Sequence, residues 1–83
     1  EAFAAVPLVS TEYLCDKDKA KARKLRGKYN INGSAVAIGH ANTASGARII
    51  MNLLYELRRR GGGYAAGAIC GGLAQGDACI IKV

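Results

Sequence analysis

The sequence predicts an α/β fold in which helices pack on a mixed β-sheet, and three observations carry that expectation. An amphipathic stretch at about 45–60 reads as a helix. Two runs that follow it, YAAGAIC at 64–70 and ACIIKV at 78–83, read as strands. The order helix, strand, strand suits the end of an α/β domain. At 83 residues a self-sufficient core is marginal, yet 51% of the residues are apolar. The expectation is a segment that is incomplete on its own and belongs to a longer protein, with apolar surface meant for the remainder.

Each element has its own local warrant. Residues 2–14, AFAAVPLVSTEYL, suggest a first helix with Phe3, Val6, Val9 and Tyr13 near one face. Proline is tolerated near a first turn but not in a helix interior, so a helix beginning at Glu1 would kink at Pro7. The next segment, DKDKAKARKLRGK at 16–28, holds seven basic residues and two aspartates, and so accounts for most of the net charge of +6. It reads as helix or loop, ended by Gly27. In NINGSAVAIGH, Asn32-Gly33 is a turn signature. Ala35, Val36, Ala37 and Ile38 then read as a short buried extended run, uniformly apolar as for a strand covered on both faces.

The helix at 45–60 is the best specified element. Ser45 suits an N-cap or first-turn position. Ile49, Ile50, Leu53, Leu54 and Leu57 form one wide apolar stripe. Arg58, Arg59 and Arg60 fall in the last turn, where cations complement the helix dipole, and Gly61 suits the left-handed residue beyond it. The strand at 64–70 is small-sided, which fits close packing of a helix on a central strand. GGLAQGD is short enough to make the two strands a hairpin.

Several function classes lose support at this level. No uncharged apolar run reaches the length of a membrane span, and no secretory leader pattern opens the chain. Cys15, Cys70 and Cys79 are odd in number with no close pair, so the expectation is free thiols in a reducing, cytoplasmic setting rather than a disulfide framework. With a single histidine and no C-x-x-C, no zinc finger or ribbon fits. The basic run lacks interleaved aromatics, only Tyr29 following it, so nucleic-acid binding is a minor alternative. A solvated surface is the simplest account of the run, with contact to a phosphorylated substrate or another subunit as its rival.

Two positions suit chemistry. His40 ends the apolar run just before a helix, and Cys70 ends a strand just before a glycine loop; α/β proteins assemble sites in such places. Were the two runs neighbouring strands, His40 and Cys70 would share a pocket. An imidazole can assist thiolate formation, and the side-chain-free Gly71 and Gly72 could turn backbone N–H groups towards an oxyanion. Taken alone, a cysteine at a strand end is more often inert packing and a histidine in a loop ordinarily a hydrogen-bonding surface residue, while the glycines also suit a tight turn.

At these residues the sequence resembles the C-terminal end of a thiolase. EAFA at 1–4, NINGSAVAIGH at 30–40, SGAR at 45–48 and CGGLAQG at 70–76 occur in thiolase order. The family writes them approximately as N-E-A-F-A, N-x-N-G-G-A-I-A-x-G-H-P-x-G-x-S-G-x-R and C-x-G-x-G-x-G. The resemblance makes residues 1–83 a C-terminal segment of the thiolase C-terminal domain, part of its layered fold, with 16–29 as a longer, basic, variable connection. Ser34, Thr43 and Ala74 stand where glycine is usual, and Ala41 where proline is.

The resemblance implies an acyl-CoA C-acyltransferase. Such enzymes condense two acetyl-CoA into acetoacetyl-CoA, or cleave a 3-ketoacyl-CoA with free CoA. By motif, His40 activates the nucleophilic cysteine and contributes to one oxyanion hole. Cys70 is the acid/base cysteine, the Gly72 N–H serves the second oxyanion hole, and Phe3 lines the acyl pocket. The nucleophilic cysteine belongs to the N-terminal half of a thiolase and is neither Cys15 nor Cys79. Implied partners are that N-terminal portion, acyl-CoA and CoA, and further copies in a dimer or tetramer, with no metal or cofactor, nucleic acid or membrane. The main rival is a non-catalytic thiolase-like subunit that binds acyl-CoA or scaffolds a complex.

Overall fold

A computed structural model describes residues 1–83. The element order is α1 (Ala5–Leu14), α2 (Lys19–Arg26), α3 (Ala35–Ile38), α4 (Ser45–Arg59), β1 (Tyr64–Cys70) and β2 (Gly76–Lys82). They fall into two compact units, Glu1–His40 and Ala41–Val83. The mixture of helices with a sheet is the α/β class the sequence predicts, and within this chain the sheet is a two-stranded antiparallel hairpin. No helix is long and apolar enough to cross a membrane.

In the first unit α1 packs against α2. Because α1 starts at Ala5, Pro7 is its third residue and lies in the first turn, where backbone N–H groups have no helical partner to lose. The Asp18 carboxylate caps α2, accepting hydrogen bonds from the Ala20 and Lys21 amides, each at 3.0 Å. The Lys21 amide is the main cause that holds the Asp18 carboxyl below the usual aspartate range, against a smaller opposing effect of desolvation. Ala22 is fully buried, and its small side chain lets α2 lie close to α1. The buried Thr11 of α1 ties the pair: its hydroxyl donates to the Pro7 carbonyl at 2.6 Å and accepts from Arg26 Nη1 at 2.8 Å. Lys17, Lys19, Lys21, Arg23, Lys24 and Lys28 are exposed, in keeping with a solvated face. Gly27 caps α2 as expected.

The run at 35–38 departs from expectation. Ala35–Ile38 is one turn of helix, not a strand, and it is not buried: Val36 is 63% and Ile38 56% exposed. The physical reason lies at its ends. Ser34 is an N-cap whose hydroxyl oxygen accepts from the Ala37 amide at 3.2 Å. The Gly39 amide donates to the Ala35 carbonyl at 2.9 Å and closes the turn. An apolar run this short carries no decisive periodicity, so caps outweigh it.

In the second unit α4 packs on one face of the β1–β2 hairpin. Ser45 is its first residue, and its hydroxyl donates to the Ala41 carbonyl at 3.1 Å. The helix ends in a paired C-terminal motif: the Gly61 amide donates to the Arg58 carbonyl at 3.1 Å and the Gly62 amide to the Leu57 carbonyl at 2.8 Å. Glu56 is buried and takes hydrogen bonds from Arg59 Nε at 2.9 Å, Arg59 Nη2 at 2.6 Å and Arg60 Nε. The hydrogen bond and charge of Glu56 raise the Arg59 pKa. Two of the three terminal arginines are thus held by α4 itself.

Leu57 of the predicted stripe is buried, Ile49, Leu53 and Leu54 are half-buried, and Ile50 is exposed. Gly67 lies where α4 approaches most closely. A Cβ there would sit 3.0 Å from both Ile49 Cγ2 and Leu53 Cδ1. The small-sided strand therefore fits its helix through a missing side chain. The register pairs Tyr64 with Lys82, Gly67 with Cys79 and Cys70 with Gly76, so β2 begins two residues before the predicted start.

The other face of the hairpin carries Ala66, Ala68, Cys70, Ala78 and Ile80, all exposed, with Ile80 at 77%. The chain exposes 6525 Å². Ala22 and Leu57 are its only buried apolar residues. This is the uncovered surface of a segment that does not complete a core by itself.

Candidate functional site

Phe3 and His40 lie in the first unit, and Cys70 and Gly72 lie together at one end of the hairpin in the second. Phe3 precedes α1 and is 74% exposed; its carbonyl accepts from the Val6 amide at 3.0 Å and starts the helix. His40 is exposed and follows α3 directly after Gly39. The run at 35–38 is helical, so it is not a strand of the sheet, which consists of β1 and β2.

The backbone entering His40 is set by Gly39, at φ 76° and ψ −179°. Only glycine occupies that region readily, because a Cβ would strain the chain. Gly39 thus turns the chain out of α3 in a direction no other residue adopts freely. Beyond His40, Thr43 has φ 65°, a left-handed conformation that is costly for a β-branched residue. This is one of the places where the thiolase pattern usually has glycine. The turn after His40 therefore holds a glycine-type conformation despite the substitution.

Glu1, the first residue of the EAFA motif, makes a contact that its place in the motif does not announce. The Glu1 carboxylate accepts a hydrogen bond from the Ala35 amide at 2.9 Å, bridging the EAFA segment to the start of α3. Desolvation pushes the Glu1 carboxyl up. The Ser34 hydroxyl and the Ala35 and Val36 amides outweigh it, and the pKa lies below the usual glutamate range. No local pattern signals a contact across so many residues. Ser34 did carry a signal, since a serine directly before an apolar run is a recognised helix start.

On the hairpin, Cys70 is the last residue of β1, exposed, and a free thiol like Cys15 and Cys79. The five-residue loop beyond it is closed by two backbone bonds: Gly71 N–H to Gln75 carbonyl and Gln75 N–H to Gly72 carbonyl, both at 3.0 Å. These bonds use the Gly71 amide and the Gly72 carbonyl but not the Gly72 N–H. Gly72, Leu73 and Ala74 all have positive φ, at 76°, 40° and 61°. Ala74, like Thr43, keeps a left-handed backbone where the pattern has glycine. The arrangement sets a thiol and an amide donor two residues apart on a short constrained loop. No three His, Cys, Asp or Glu side chains gather as a metal site.

The comparisons with known proteins decide the family. Residues 1–83 match the family model described as "Thiolase, C-terminal domain". The chain belongs to the thiolase family. It is 50% identical over 82 residues to a probable acetyl-CoA acetyltransferase of Mycolicibacterium smegmatis, covering 99% of this chain and 19% of that protein. It is 54% identical over 55 residues to the mitochondrial 3-ketoacyl-CoA thiolase of Homo sapiens, covering 66% of this chain and 14% of the relative. The Mus musculus mitochondrial 3-ketoacyl-CoA thiolase is 44% identical over 82 residues, again 99% of this chain and 19% of the relative. This thiolase segment therefore spans about one fifth or less of the length of the relatives it matches. No solved structure matches it.

Proposed function

We propose that this thiolase segment supplies the acid/base part of an acyl-CoA C-acyltransferase, which condenses two acetyl-CoA to acetoacetyl-CoA or runs the reverse thiolysis. The observation that carries the reading is the β1–β2 loop, where the exposed Cys70 thiol and the unspent Gly72 N–H stand on one short constrained turn. A nucleophilic cysteine from the N-terminal portion attacks an acetyl thioester, CoA leaves as the thiol, and an acetyl-enzyme remains. His40 assists by taking the nucleophile's proton and by donating to the thioester oxyanion. Cys70 removes an α-proton from a second acetyl-CoA. The resulting enolate attacks the acetyl-enzyme carbonyl, whose oxyanion the Gly72 N–H receives, and the nucleophilic thiolate departs. In cleavage Cys70 returns the proton to the departing enolate.

An acetyl α-proton is far less acidic than a thiol, so the step depends on stabilising the enolate where it forms. Splitting the transfer through an acyl-enzyme replaces one hard step by two easier ones. Phe3, exposed in this segment, lines the acyl pocket in this proposal. The substrates are CoA thioesters, with no further cofactor. The working form is the complete chain or complex, as a dimer or tetramer. The free thiols suit a reducing compartment, the cytoplasm in this reading.

In the complete protein, Cys70→Ala is expected to abolish CoA release by condensation while the nucleophilic cysteine still takes an acetyl label. Turnover equal to the parent would overturn the assignment. An absence of acetyl label on any cysteine of the parent protein would favour the non-catalytic, acyl-CoA-binding alternative instead.

A further inference from the structure

We infer that Glu1 is a positioning residue for His40, holding the α3 turn that delivers the histidine. The inference rests on the catalytic part assigned to His40 under the proposed function. A single helical turn does not hold itself together, because fixing its backbone costs more than one hydrogen bond returns. α3 is such a turn, and packing does not hold it, since Val36 and Ile38 are both more than half exposed. Polar anchors hold it instead. The Glu1 carboxylate takes the Ala35 amide at 2.9 Å. The Ser34 oxygen takes the Ala37 amide at 3.2 Å.

Two of the three leading amides of α3, those of Ala35 and Ala37, are thereby satisfied by side chains, and the Glu1 bond carries the assistance of its charge. The far end of the turn follows rigidly. The Ala35 carbonyl accepts from the Gly39 amide at 2.9 Å, and Gly39, in its glycine-only conformation, leads directly to His40. A continuous path of hydrogen bonds and fixed backbone thus runs from Glu1 to His40. It joins the EAFA segment to the NINGSAVAIGH segment 34 residues later.

The test uses the complete protein with Glu1→Ala, Glu1→Gln and His40→Ala, singly and with Glu1→Ala combined with His40→Ala. Displacing a catalytic group by about 1 Å costs on the order of 100-fold in rate. Glu1→Ala is therefore expected to lower kcat for condensation by roughly 10- to 100-fold, with KM for acetyl-CoA within about 2-fold. Glu1→Gln keeps an acceptor for the Ala35 amide and should recover part of that loss. Adding Glu1→Ala to His40→Ala should cost nothing more, since both act through one group. Hydrogen exchange in residues 34–39 should accelerate in Glu1→Ala.

Parental kcat in Glu1→Ala, beside an inactive His40→Ala, overturns the inference and leaves the proposed function standing. Full activity in His40→Ala overturns the proposed function itself. Equal loss in Glu1→Ala and Glu1→Gln together with a raised KM marks a general structural role and also refutes the inference. If Glu1→Ala does not fold, Glu1→Gln alone decides: parental kcat with unchanged exchange in residues 34–39 refutes it, and a reduced kcat at constant KM supports it.

Discussion

Adding one methyl group at Gly39 and at Gly46 should move stability in opposite directions. Neither position is crowded: a Cβ at either would meet no heavy atom within 4 Å. Any difference between Gly39→Ala and Gly46→Ala is therefore conformational, not steric. Gly39 has φ 76° and ψ −179°, a region nearly closed to residues with a Cβ. Holding alanine there costs about 1–3 kcal/mol. Gly46 is the second residue of α4, where alanine improves on glycine by about 0.5–1 kcal/mol. The two variants should thus differ by roughly 1.5–4 kcal/mol.

The assay is urea unfolding of the complete protein, read as a change of midpoint at constant slope. Local hydrogen exchange would assign each change to its own unit. Gly39→Ala should also lower kcat, because the chain relieves its strain by rotating at residue 39 and so turns His40. A Gly39→Ala protein as stable as its parent, or two midpoints displaced in the same direction, would refute the reasoning.

Thr43 has φ 65° with a β-branched side chain, and a left-handed residue costs about 1–2 kcal/mol. Glycine gives back about 0.4–1 kcal/mol through its freedom in the unfolded chain, so Thr43→Gly should stabilise by a net ~0.5–1 kcal/mol in thermal unfolding. The pKa values of Glu1 and Asp18 are lower in the folded chain than in the unfolded one. Their contribution to stability is then complete above the ordinary carboxylate range and is lost as pH falls through the lowered folded values. Urea midpoints measured down the acid range should fall accordingly, and the fall should be shallower in Asp18→Asn. A pH-independent midpoint over that range would contradict it.

The elements legible in the sequence are those whose signals are local. The α4 stripe recurs from Ile49 to Leu57, a serine opens the helix and a glycine closes it, and the observed Ser45–Arg59 lies close to the predicted span. β1 occupies the predicted residues 64–70, a small-sided run bounded by glycines on both sides. The run at 35–38 is a helical turn where its composition predicts a strand, because four apolar residues suit a buried strand as well as a capped turn. Its conformation follows from Ser34 beside it and Glu1 far from it. The start of β2 moved for a related reason: strand ends are set by the pairing of Cys70 with Gly76, not by composition.

The site divides in the same way. His40, Cys70 and Gly72 are candidates marked by residue type and motif order, which belong to the chain itself. Together with the whole-chain family match they made the thiolase family readable from the sequence. Only the tertiary structure revealed that Gly67 makes room for Ile49 and Leu53, that one face of the hairpin is uncovered, and that Glu1 accepts a hydrogen bond from the first amide of the turn before His40. Periodicity and caps act over a few residues, so a sequence displays them directly. Close approach, uncovered surface and a hydrogen bond spanning 34 residues arise only when distant segments meet, and no local pattern encodes that meeting.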